Sequence, residues 1–418
     1  MIDYNQRPAV PPDALARAAN ALTRWLPSRD DASVLSDWNR AEWLAAEWLA
    51  YWQNALPWLV ARTAEAGAVI PGDIHDRLLA VDRASRARTA AMLDSAAELL
   101  DDLRRQGVEA MPLKGAALAP CYFPDPGLRP LADLDILIHP RDVAPAVATL
   151  LRLGYAYYSR SAEDEVYLRG ERKAMVWAPD NVHPVELHYA LREEYAGLSY
   201  ELAPALWAAS RDQPYWGGRQ ARLPDPPALL HHVCAHATSD WLIQRGKVMQ
   251  IGDIQRIADR MSGEDWSAFA AGLPPSGARF VYPALAFTLK HAAAPVPAAV
   301  MDHLRRHTPR ALRAWVEASQ PADTSESNPA SRSGIGFDIA RLLARSPAER
   351  ARMWLRSVFP RRRNLTKRYP RLAGSPAWPL GYLLLNLDRL RRLKAEKAAP
   401  RRLRPLDASP QRPASSDP

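Results

Sequence analysis

The run Asp133-Leu134-Asp135-Ile136-Leu137-Ile138 constrains this chain more than any other segment. Its apolar part reads as a buried strand, and carboxylates two residues apart on a strand project from the same face. A buried strand needs neighbouring strands and covering helices. Two acids held on one of its faces form a site for a divalent metal.

The flanking sequence supplies those neighbours. Val108 to Leu113 is short and apolar enough for a strand, Gly115 permits a tight turn, and Ala116 to Tyr122 reads as a brief helix. Pro124, Pro126, Gly127 and Pro130 make a stiff loop before the acid pair. Val143 to Leu153 is a helix closed by Gly154. Tyr155–Tyr158, Glu165–Leu168, Ala174–Trp177 and Val182–Tyr189 all read as strands, so a mixed sheet flanked by helices is expected.

Magnesium prefers hard oxygen ligands and is usually held by one or two carboxylates together with substrate phosphates. Displacement at phosphorus with two metals calls for a further acid, and Glu186, in the strand-like Val185-Glu-Leu-His-Tyr189, is the candidate. His188 falls on the same strand face two residues on. Lys114 at the end of the first strand, with the adjacent Gly115, can meet phosphate oxygens by charge and backbone amide, aided by the N-terminus of the short helix, and Arg129 can grip them bidentately. Structural ion pairing is the competing reading for Lys114, Arg129 and Glu186.

A second cluster is His231, His232, Cys234 and His236. His232 and His236 share a helix face, and zinc could be completed by Cys234 or Asp240, but Val233 stands where the metalloprotease pattern needs Glu. The expectation is that these side chains pack or line a cleft above the acid pair, with His236 closest to a role. Lys247 and Asp253 on the following helix are candidates to face the same cleft.

Charge divides the chain unevenly. Arg341 to Pro418 carry 20 Lys or Arg against 5 Asp or Glu, a net of +15, and the total of +9 therefore leaves the first 340 residues at −6. An acidic body with a basic extension argues against a duplex-binding protein. Cys121 and Cys234 form no C-x-x-C pair, the N-terminus has no signal-peptide pattern, and no apolar run spans a bilayer, so a cytoplasmic protein is expected.

Helices are expected on both sides of the sheet. Ser36 and Asp37 are candidate caps for a run with Leu44, Trp48, Tyr51, Trp52 and Ala55 on one stripe, ended by Pro57; Asp73 to Gly107 follows. Further helices fall at Trp266–Leu273, Arg279–His291 and, with breaks, Pro297–Ala318. The chain then divides into a helical region at 1–107, a core with its following helices at 108–260, a helical region at 261–319, a linker at 320–336, a basic amphipathic tail at 337–397 and a disordered end at 398–418. In the tail, Leu380, Leu383, Leu384, Leu387 and Leu390 share a face, with Arg389, Arg391, Arg392 and Lys394 toward the end. Docking on the acidic body is the expectation; a membrane surface or another protein contact through 361–397 is the alternative.

The order of a strand, the Lys114-Gly115 turn, a short helix, a Pro and Gly loop with Arg129, D-L-D-I-L-I, a helix ending in L-R-L-G-Y and then V-E-L-H resembles the uncharacterised nucleotidyltransferase family of the polymerase-β-like superfamily. The similarity is clear from Glu109 to Ala190 and extends to about Asp259. Lys114-Gly115 stands where the broader superfamily usually has Gly-Ser. The resemblance implies an α+β, mostly helical chain with a small mixed β-sheet of minimal nucleotidyltransferase type. It also implies Mg2+ or Mn2+ bound by Asp133, Asp135 and Glu186, and transfer of a nucleoside monophosphate from an NTP to an acceptor. The alternatives are a non-catalytic nucleotide-binding module of the same fold and a D-x-D glycosyltransferase.

Overall fold

The computed structural model describes residues 4–398 except 5–6, 28–31, 162, 174–175, 196, 244, 321–340, 361, 363–364, 366–368, 370–371 and 373–374. Four helices open the chain: α1 (Pro12–Trp25), α2 (Arg40–Trp52), α3 (Leu56–Glu65) and α4 (Gly72–Arg105). The cap of α2 is Asn39, not Ser36 or Asp37. Its side chain accepts from the Ala41 amide at 2.7 Å, and the Glu42 carboxylate accepts back from the Asn39 amide at 3.1 Å. The tryptophan stripe is core, as its spacing predicts, with Trp48 and Trp52 packed against buried Trp43, Ala46 and Leu49.

The 34-residue α4 ends as Gly107 predicts. Gly107 takes φ +72°, its amide donates to Arg104 O, and the Val108 amide reaches back to Leu103 O, which together satisfy the orphan carbonyls of the last turn. This stop feeds the chain directly into the sheet.

The sheet has the order β1-β2-β5-β4-β3, with β1 at Ala110–Pro112, β2 at Leu134–Ile138, β3 at Ala156–Arg160, β4 at Asp164–Arg169 and β5 at His183–His188. Between β1 and β2 lies α5 (Lys114–Tyr122), and between β2 and β3 lies α6 (Val143–Arg152). The β2–β5 pair is parallel and every other pair is antiparallel, which gives the mixed sheet. All five residues of β2 are buried, as its apolar run requires. Leu134, Ile136 and Ile138 point into a core with Met92, Ala96 and Leu99 of α4. Asp135 therefore points to the other face, because side chains alternate along a strand.

Two elements differ from expectation. Residues 174–175 of the expected strand at Ala174–Trp177 lie outside the described residues, and Val176 and Trp177 form a turn, with the Val176 amide donating to the Tyr51 hydroxyl. Two hairpins follow the sheet: β6 (Arg192–Tyr195) with β7 (Leu198–Glu201), then α7 (Ala203–Ala208), then β8 (Ser210–Pro214) with β9 (Gln220–Pro224). Strands such as Arg-Glu-Glu-Tyr and Ser-Arg-Asp-Gln-Pro carry none of the apolar alternation that marks a half-buried strand, so pattern does not reveal them.

The chain is mostly helical around this small sheet. After the hairpins come α8 (Pro226–Leu242), α9 (Val248–Ala258), α10 (Gly263–Gly272), α11 (Ala278–His291), α12 (Ala298–His307) and α13 (Arg310–Ala318). They pack with α1 to α3 into a second core that contains Trp25, Trp58, Trp241 and Phe287. The expected linker at 320–336 lies outside the described residues from 321 on, as does the expected disordered end from 399 on. The tail contains α14 (Pro347–Val358) and α15 (Leu380–Ala398). Where docking on the acidic body is the expectation, the leucine stripe of α15 is exposed, with none of its five leucines buried against the described residues. No helix among the described residues is long and apolar enough to cross a membrane.

Candidate active site

Parallel pairing of β2 with β5 sets Asp135 directly opposite Glu186, and Leu137 opposite His188. Asp133 falls one residue before β2 begins, two positions ahead of Asp135. Oxygens of Asp135 and Glu186 and a ring nitrogen of His188 all lie within 4.8 Å of one another. His188 Nε2 is 2.9 Å from Asp135 Oδ1 and 3.7 Å from Glu186 Oε2. Two acids and an imidazole that the sequence separates by about fifty positions thus meet on one sheet face.

Lys114 completes the cluster. It leaves β1 at φ +44°, a left-handed backbone that a non-glycine residue adopts only under constraint, and its Nζ lies 2.8 Å from Asp135 Oδ1. The neighbouring Leu113 amide donates to the Asp135 carbonyl at 2.9 Å, so the turn is tied to the strand by both backbone and side chain. Gly115, the second residue of α5, lies against the loop: a Cβ there would stand 2.6 Å from Leu131 Cδ2 and 3.1 Å from Arg129 Nη1. Only glycine permits that approach without displacement.

The electrostatics separate the three carboxylates. Burial opposes ionisation of Asp135, but the Lys114 ammonium and the His188 hydrogen bond outweigh it and hold its carboxyl well below the usual range. Burial and the nearby Asp135 and Asp133 charges push Glu186 up to about 7. Asp133 is likewise raised by burial and by Asp135, with Lys114, Lys247 and Arg129 pulling the other way. Two neighbouring acids of opposite tendency suit one permanent anion and one group that exchanges a proton near neutrality.

Arg129 is committed to a protein partner. Its Nε and Nη2 each lie 2.8 Å from Asp253, and its Nη1 donates to Pro130 O at 2.8 Å. The fork that sequence reading offered to phosphate thus joins the α5–β2 loop to α9, and Asp253, a candidate for the cleft, is its partner. Gly252 beside it packs so closely that a Cβ would meet the Trp58 ring at 2.5 Å. Lys247 stands half-buried before α9 and contributes positive charge at Asp133.

The histidines of α8 separate into different environments. His236 is paired with Asp240 at 3.4 Å and lies 3.8 Å from Glu193 of β6. His231 bonds Phe269 O at 3.0 Å, which makes it structural. His232 is buried with Nδ1 unpartnered, and burial together with Lys114 keeps it neutral. None of them belongs to a three-ligand group among the described residues, so the zinc alternative gains no geometric support.

One positioning residue escaped the sequence reading. Arg88, buried in mid-α4, donates to Val182 O at 2.9 Å, Asn181 O at 3.2 Å, Ala132 O at 3.3 Å and Ala178 O at 3.4 Å. It therefore clamps the residue before Asp133 to the loop that enters β5. The available signal was an arginine on the stripe Val81, Ser85, Arg88 and Met92, where helical spacing calls for buried residues.

The donor set fits a hard divalent cation. Carboxylate oxygens of Asp135 and Glu186 converge and Asp133 adds negative charge beside them, hard oxygen donors that suit magnesium or manganese, while His188 is hydrogen-bonded to Asp135. The family model described as uncharacterised nucleotidyltransferase matches residues 39–297, a wider span than the motifs alone mark out and one that contains every residue of this site. No curated protein matches the chain.

Proposed function

The chain belongs to the uncharacterised nucleotidyltransferase family, and from that premise we propose that it moves a nucleoside monophosphate from an NTP to an acceptor hydroxyl, with Mg2+ or Mn2+ held by Asp133, Asp135 and Glu186. The observation that carries this reading is the register of Asp135 against Glu186, with Lys114 2.8 Å from the former.

The bound ion would neutralise the triphosphate and polarise its α-phosphorus. Asp135, held ionised by Lys114 and His188, would provide the fixed negative ligand. Glu186, opposite Asp135 in the register, is the acid placed to accept the proton of the attacking hydroxyl. A new P–O bond forms at the α-phosphorus, the bridging α–β P–O bond breaks, and pyrophosphate leaves with the electron pair. Lys114 and Lys247 are the cations beside the acids that could meet the triphosphate, in place of Arg129, whose fork Asp253 and Pro130 occupy.

Incubation with each α-labelled NTP and a panel of hydroxyl-bearing small molecules, peptides and proteins tests the reading. Label is expected to transfer with Mg2+ or Mn2+ and to vanish in Asp135→Asn with the fold retained. Undiminished transfer by that variant overturns it. The seat of the Lys114 ammonium on Asp135 favours a second reading, a module that binds nucleotide without transfer. Tight NTP binding with no pyrophosphate release across the panel would select that reading. Family membership sides with nucleotidyl transfer against the D-x-D glycosyltransferase.

A further inference from the structure

Helix α15 is mounted with its polar side inward. Asn386 Nδ2 donates to Val358 O at 3.1 Å, the Tyr382 hydroxyl to Pro360 O at 3.1 Å, and the Tyr369 hydroxyl to Asp388 at 2.9 Å. Leu385 is buried on the same side, and Gly381 approaches Leu365 so closely that a Cβ would stand 2.9 Å from it. With those residues spent on attachment, Leu380, Leu383, Leu384, Leu387 and Leu390 form the opposite face, and each is 40–57% exposed. A soluble helix normally turns such a stripe inward. On the adjoining α14 and at its C-cap, Trp354, Leu355 and Phe359 are also about half exposed.

We infer that the outward leucine stripe of α15 docks on an anionic lipid bilayer. Charge decides the occupant. The segment from Arg341 onward carries +15, and α15 itself contains five Lys or Arg against two acids. A second copy would bring a second segment of +15 against the first. The acidic body is not the occupant among the described residues, because it leaves all five leucines exposed. Nucleic acid would satisfy the cations and leave the leucines in water. An anionic bilayer satisfies both, with leucines entering the acyl boundary and cations meeting headgroups. Trp378 and Tyr382, 5.7 Å apart at the start of the helix with Arg362 4.8 Å from the Trp378 ring, are the residue types that favour this boundary. The inference stands on the tail alone and does not depend on the nucleotidyl-transfer reading.

The full-length chain is sedimented with vesicles of phosphatidylcholine and with vesicles containing phosphatidylglycerol as well. It is expected to pellet with the anionic vesicles, weakly with the neutral ones, and progressively less as salt rises. The double variant Leu383→Glu, Leu387→Glu, both positions being exposed, should keep its melting temperature and bind on the order of tenfold or more weakly. Absence of pelleting with anionic vesicles overturns the proposal, as does equal pelleting on both compositions without salt dependence. A chain that is dimeric by light scattering and becomes monomeric in the leucine variant also overturns it, by assigning the stripe to a second copy.

Discussion

Lys114 Nζ lies 2.8 Å from Asp135 Oδ1, inside the group of acids that a divalent cation would share. The ammonium and a metal therefore serve the same carboxylate. Lys114→Met leaves Asp135 with His188 alone, and its removal from a pair whose lysine is 21% exposed is expected to cost about 2–3 kcal/mol, less than a fully buried pair. The same change makes room for a cation, so Mg2+ should raise the melting temperature of Lys114→Met more than that of the unaltered chain. An equal shift in both would separate Lys114 from the metal site.

Protonation of Glu186 gives the site a pH signature. Its folded pKa of about 7 lies above the ordinary 4.5, so without metal the folded chain holds a proton that the unfolded chain releases between those values. The contribution of Glu186 to stability is complete below about 4.5 and is lost as pH rises through about 7. Metal binding requires the ionised carboxylate and runs the other way. Mg2+ affinity measured by calorimetry should fall as pH drops from about 8 to about 6, with proton release on binding near 7, and Glu186→Gln should diminish both effects, leaving the part that the raised Asp133 carries.

The acids were legible because strand alternation and an apolar run are local properties: Asp135 and Glu186 can each be placed on a strand from its own neighbours. Their register was not local, and Asp133 sits one residue outside the strand that sequence gave it. The partner of Arg129 lies 124 positions away, and no spacing rule links an arginine in a Pro and Gly loop to an acid on a later helix. The leucine stripe of α15 was visible as a stripe, but which side of the helix attaches depends on Asn386, Tyr382 and Gly381 meeting carbonyls and a side chain from 360 and its neighbours. Periodicity identifies a face and leaves its partner open.

Arg88 should be among the least replaceable residues outside the acid cluster. Burial lowers its pKa to about 10, which leaves it a cation at neutral pH, and its guanidinium serves four carbonyls. Arg88→Met strands those acceptors, and a loss of about 3 kcal/mol is expected. Arg88→Lys keeps the charge without the planar fork and should recover a minor part of it. A structural role elsewhere would lower the melting temperature alone. The clamp between Ala132 and Val182 predicts weaker Mg2+ binding as well, measured at a temperature where the variant is folded.

The Arg129–Asp253 pair decides how the triphosphate is held. Removing either partner leaves a buried charge uncompensated and should cost about 3–5 kcal/mol, whereas the double variant Arg129→Leu, Asp253→Leu is expected to be less destabilised than either single change. Because the guanidinium is committed to Asp253 and Pro130, the double variant should bind NTP within about threefold of the unaltered chain while Lys114→Met loses most of its affinity. Calorimetry with a non-hydrolysable NTP measures both. A double variant that folds and fails to bind nucleotide would mean that Arg129 leaves Asp253 for phosphate when the substrate arrives.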